Sequence, residues 1–150
     1  FPSLAFEPNG NIAIAYQDLS RRALRYYSGA SLATMKNQAK PAEATFIDKG
    51  LTDPRKDGPS FVGADASLLF SSLGPVVAYQ NSTAADLRLA VKEGGGWRVA
   101  KEWPEGAGGF FAKAVQLDNE VFIVHARMRA RLVGGKPVAE TVVSVEPYRP

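Results

Sequence analysis

One phrase occurs twice in this chain, and that repeat limits the possible folds more than any other feature of the sequence. Ser3-Leu4-Ala5-Phe6, Asn9-Gly10-Asn11, Ile12-Ala13-Ile14-Ala15-Tyr16-Gln17-Asp18 and Leu24-Arg25-Tyr26 follow one another near the start. Ser67-Leu68-Leu69-Phe70, Leu73-Gly74-Pro75, Val76-Val77-Ala78-Tyr79-Gln80-Asn81 and Leu87-Arg88-Leu89 answer them in the same order. Tyr16 and Tyr79, Gln17 and Gln80, Leu24 and Leu87, and Arg25 and Arg88 all stand 63 positions apart. Repetition on this scale marks supersecondary units that stack or ring together, because one unit cannot bury its apolar faces alone.

A third, degraded copy follows. Val121-Phe122-Ile123-Val124-His125-Ala126 matches Ile12 to Gln17, with His125 in the tyrosine's place, 46 positions beyond Tyr79. Phe111 to Val115 replaces the Ser-Leu-x-Phe segment, and Asp118-Asn119 replaces the Asn-Gly turn. The polar Gln-Asp or Gln-Asn step is missing. The strand is instead expected to run on to Val133, turn at Gly134-Gly135 and return through Val138 to Val145, since tight hairpins need residues that accept positive φ.

Alternation sets the strand expectations. Ile12, Ile14 and Tyr16 share one face, and Ala13, Ala15 and Gln17 the other. Both faces are apolar, which predicts burial between neighbouring sheets, with the alanines admitting close approach. Leu24–Tyr27 and Leu87–Val91 read as third strands, and Thr45–Asp48 and Trp97–Glu102 as outer, fourth strands. Gly94-Gly95-Gly96 supplies the hairpin before Trp97. Ser31 to Ala44 reads as an insertion able to form a short helix, and Leu51 to Pro59 as a loop between units. The expected class is all-β, in one domain of about three four-stranded antiparallel units spanning roughly 1–50, 58–103 and 106–146.

Composition narrows the function classes. The 150 residues carry a net charge of +3, too little to argue for nucleic acid, and no long like-charge block. No apolar run reaches the ~20 residues of a membrane-spanning helix. The absence of Cys excludes disulfides and thiolate metal sites. The chain opens on a strand-like segment at Phe1 without a methionine, which reads as a processed or trimmed product.

Serial four-stranded units point to a β-propeller. The phrase Ser-Leu-Ala-Phe-x-Pro-Asn-Gly-Asn-x-Ala-Ile-Ala-Tyr-x-Asp, with Leu-Arg-Tyr after it, resembles blades of bacterial propellers related in pattern to sialidases. The match runs well over Pro2–Tyr27, fairly over Ser67–Trp97 and weakly over Phe111–Val145. This family holds secreted and surface binding modules, lectin-like proteins and some glycoside-processing enzymes. The resemblance therefore implies a secreted location: extracellular, periplasmic or cell-surface. The chain has no Ser-x-Asp-x-Gly-x-x-Trp box and no evident arginine triad with a tyrosine and glutamate, so the resemblance extends to fold and not to sialidase chemistry.

No residue pattern supports catalysis or a cofactor. His125, the sole histidine, has no partner at metal-ligand spacing. It reads as a structural substitute for tyrosine. No Gly-x-Ser-x-Gly elbow supplies a nucleophile, and the glycine runs at 94–96 and 106–109 lack the Gly-Lys ending of a phosphate loop. Arg127, Arg129 and Arg131 alternate with Ala126, Met128 and Ala130, which puts the three guanidinium groups on one face with His125. Such a row can grip an acidic glycan, although a charged face that deters strand addition is the commoner use. Asp18 and Asn81 end equivalent strands, where they can touch ligand or simply cap their own turns. Trp97 and Trp103 can stack on sugars or pack between units.

These readings converge on a non-enzymatic binding or structural propeller module. A lectin-like glycan-binding propeller is the first alternative, and a fragment of a glycoside-processing hydrolase the second. Three blades leave two apolar faces bare. The expected partners are therefore further blades of the same protein, a cleaved companion chain or a second copy, with glycan as a possible ligand and neither nucleic acid nor membrane insertion expected.

Overall fold

The structure, a computed structural model, describes residues 2–30, 44–50, 60–105 and 107–150. The helix expected after Ser31, most of the insertion that carries it and the loop expected at 51–59 lie outside the described residues. Among the described residues eleven strands form three antiparallel sheets, each a simple meander. The first sheet is β1 (Ser3–Phe6), β2 (Ile12–Asp18), β3 (Ala23–Ala30) and β4 (Thr45–Asp48). The second is β5 (Val62–Ser71), β6 (Gly74–Asn81), β7 (Asp86–Glu93) and β8 (Gly96–Trp103). The third is β9 (Phe110–Leu117), β10 (Glu120–Val133) and β11 (Lys136–Tyr148).

The repeat survives in the registers. Tyr16 lies opposite Arg25, and Tyr79 opposite Arg88. Gln17 lies opposite Leu24, and Gln80 opposite Leu87. Ser3 pairs with Ala15 as Ser67 pairs with Ala78. In the third sheet His125 faces Ser144, and a bulge interrupts β9–β10 pairing beside it.

The second sheet is packed on both sides. Val77 and Tyr79 of β6 join Ala13, Ala15, Leu24, Tyr26 and Ile47 in one core. Val76 and Ala78, on the opposite face, join Leu87, Leu89, Val121, Ile123 and Tyr148 in the other. This explains why β6 reads as continuously apolar, since a strand covered on both faces needs no polar alternation. The alanine face of β2 is the side against which the second sheet packs, as expected. Trp97 sits between sheets, its ring edge-on to Tyr26 at 5.0 Å between centroids.

The third sheet corrects one expectation. It has three strands rather than four, because β10 and β11 run for 14 and 13 residues where β6 and β7 have 8 each. The residues that the second unit spends on its loop and outer strand are used here to lengthen a hairpin.

Candidate functional site

The polar side chains that recur in the repeat meet at the joints between sheets, and there the same contacts are made twice. Ser3 Oγ accepts a hydrogen bond from the Leu68 N–H at 2.9 Å, and Ser67 Oγ accepts one from the Ala114 N–H at 3.0 Å. Gln17 Nε2 donates to the Val62 carbonyl at 3.2 Å, and Gln80 Nε2 donates to the Gly108 carbonyl at 2.7 Å. The N–H groups of Val62 and Gly108 then donate back to the carbonyls of Arg22 and Ala85. Buried backbone groups need partners, and each joint satisfies those of the incoming chain with one serine, one glutamine and one carbonyl.

Backbone geometry repeats with the side chains. Arg22 and Ala85 both have positive φ, at 55° and 58°. So do Gly63 and Gly109, at 97° and 81°, and Asp65 and Phe111, at 50° and 55°. A side chain on Gly63 would meet Leu24, and one on Gly109 would meet Leu87 and Gln80. Glycine is required at both because the backbone has a left-handed turn and a neighbouring strand within contact distance.

A polar cluster built on the buried pair Tyr79 and Asp48 closes the first joint. The Tyr79 hydroxyl donates to Asp48 Oδ2 at 2.7 Å, and Arg88 donates to the same oxygen at 3.1 Å and to Glu102 at 2.8 Å. Burial, reinforced by the Asp48 carboxylate, pushes the Tyr79 phenol well above its ordinary range. The equivalent of Tyr79 in the third sheet is His125, which is buried at the second joint. Its Nδ1 accepts the Gly109 N–H at 2.9 Å, and its Nε2 lies 3.6 Å from Glu146. Tyr79 thus ties the second sheet back to β4 of the first, whereas His125 bonds the chain that enters its own sheet.

The residues singled out from sequence fall into two groups. Asp18, Asn81 and Arg127 occupy equivalent positions, two residues past Tyr16, Tyr79 and His125. Asp18 Oδ1 accepts the Arg21 N–H, and Asn81 Oδ1 accepts the N–H groups of Thr83 and Ala84, so both side chains close their own turns. Arg127 bonds to Glu105 and pairs with Glu146, at 3.3 Å for the latter. Arg129 pairs with Glu140 at 3.1 Å, and Arg131 lies exposed farther along the hairpin. His125 and Arg127 come together at Glu146, whereas Arg129 and Arg131 lie beyond the sheet. Sequence reasoning missed Ser3, Ser67, Gln17 and Gln80 as joint residues, although their recurrence was the available signal.

Among the described residues no group of three or more His, Asp or Glu is placed to hold a metal ion. No helix of the described residues is long and apolar enough to cross a membrane. Comparison of the sequence with family models and with curated proteins finds no match to either.

The joints have a direction. The third sheet keeps the receiving half, with Gly108, Gly109, Phe111 and Ala114 in their repeated roles. It has lost the giving half, because Lys113 stands where Ser3 and Ser67 stand, and Ala126 where Gln17 and Gln80 stand. The outer faces of the first and third sheets carry exposed apolar side chains. Leu4, Phe6 and Phe46 lie on one, and Val115, Leu117, Val143 and Val145 on the other.

Proposed function

We propose that this chain is a three-blade segment of a β-propeller and serves as a non-enzymatic binding or structural module within a larger or multi-chain assembly. The observation that carries the reading is the twice-made joint, combined with the two bare apolar faces at the ends of the series. Repeating contacts between successive sheets are what a radial array requires. Contiguous exposed apolar patches mark interaction surfaces. Tyr79, Asp48, Arg88 and Gln80 are engaged in holding sheets together, which supports a structural role for these polar groups.

Sedimentation equilibrium of the chain with and without Phe6→Lys and Leu117→Lys tests the reading. Both side chains are exposed, so the fold tolerates the changes. A mass above 16.1 kDa that falls in the double variant is the expected result. A mass that does not respond to these replacements contradicts it.

A further inference from the structure

We propose that the β10–β11 hairpin is a dimerisation arm that pairs edge-to-edge, through β11, with the same strand of a second copy. The hairpin outruns its sheet. β9 pairs with β10 only between Glu120 and Ala126, whereas β10 and β11 stay paired out to Val133 and Lys136. The Met128 N–H still donates to the Ala107 carbonyl at 2.7 Å, and beyond it the arm is a two-stranded ribbon, which on its own is marginally stable in water. It nevertheless exposes Met128, Leu132, Val133 and Val138.

Among the described residues the arm also presents a free edge. β11 is the outermost strand of its sheet. In the first and second sheets a fourth strand covers the equivalent edge. Pro137 and Pro147 bound β11, and the stretch from Val138 to Glu146 between them contains no proline. A row of unpaired backbone groups of this length is a template for strand addition.

Charge selects a second copy as the occupant and sets its register. A strand that pairs antiparallel with its own copy about a two-fold axis has one residue facing itself. Centred on Thr141, Lys136 of each copy lies opposite Glu146 of the other. Val138 then faces Ser144, Ala139 faces Val143, and Glu140 faces Val142. Centring on Glu140 opposes Glu140 to itself, and centring on Val143 opposes Glu140 to Glu146. Both are unfavourable like-charge contacts. The Thr141 register gives two opposite-charge pairs, in each of which Glu146 also holds its own Arg127, and it leaves each Glu140 with its own Arg129. The result is a four-stranded sheet running from β10 through both β11 strands to the partner's β10.

The chain contains no cysteine, so single cysteines report the register without interference. Facing residues have Cβ atoms about 4.5–5.5 Å apart, close enough for a disulfide after slight movement. Thr141→Cys is expected to form a disulfide-linked dimer under mild oxidation. Lys136→Cys is expected not to, because the two copies of that position are ten residues apart along the pair, about 33 Å at strand rise. Lys136→Glu sets Glu against Glu146 at two places and is expected to weaken the dimer about fivefold in sedimentation. A chain that stays monomeric at micromolar concentration overturns the proposal. So does Lys136→Cys cross-linking as fast as Thr141→Cys, or Lys136→Glu leaving the dimer unchanged. The arm contact is independent of the sheet faces, so Phe6→Lys with Leu117→Lys is expected to leave the Thr141→Cys cross-link intact.

Discussion

Gln80 shows most clearly how one residue can hold two sheets together. Its amide donates to the Gly108 carbonyl, and both groups are buried. Gln80→Ala leaves that carbonyl without a partner and is expected to cost about 1–3 kcal/mol in urea unfolding. Gln17→Ala is expected to cost less, because its bond is longer and partly exposed. Tyr79 adds a pH signature. Its folded pKa is raised by burial and by Asp48, so the contribution is intact below the ordinary tyrosine value near 10. Above it the unfolded chain loses the proton first, and stability falls as pH climbs toward the folded value, by up to about 1.4 kcal/mol per pH unit for one proton. Tyr79→Phe is expected to flatten that alkaline decline without abolishing it, since burial also raises Tyr26. Denaturant midpoints measured across alkaline pH check both statements.

Most of the strands were legible because their periodicity and turn chemistry are local. Leu24–Tyr27, Thr45–Asp48, Leu87–Val91 and Trp97–Glu102 all fall within observed strands, and Gly134-Gly135 turns the long hairpin as expected. The joints were hidden for a different reason. A serine within a strand shows no period, and nothing in Ser67 itself says that its hydroxyl faces Ala114, 47 positions on. The strand number of the third unit was hidden too, because alternation continues through β10 past the point where β9 stops. Asp18 and Asn81 were legible as equivalent positions, whereas their engagement with Arg21, Thr83 and Ala84 required the turns themselves. The arm makes a testable element. Among its residues beyond Ala126, Arg127 makes the bond to Glu105, so replacing Arg129–Glu140 by Asn-Gly should preserve the core. The expected change in melting temperature is within about 3 °C, together with loss of the arm-linked dimer. A collapse of the melting transition contradicts this.

At the scale of the molecule, three sheets in series share one pattern of contact, and that pattern runs in one direction. The middle sheet both receives and gives, the third only receives, and the apolar faces at the two ends remain exposed. One repeated lock requires the two joints to be chemically the same, and amide hydrogen exchange by NMR tests this most directly. Ser3→Ala is expected to speed exchange at Leu68, and Ser67→Ala at Ala114, each by about fivefold or more if one hydrogen bond worth roughly 1 kcal/mol is lost. In each variant the other joint should keep its protection. Exchange that is already unprotected at Leu68 and Ala114, or that does not respond to loss of the serine hydroxyl, would contradict the claim that one repeated lock holds these sheets together.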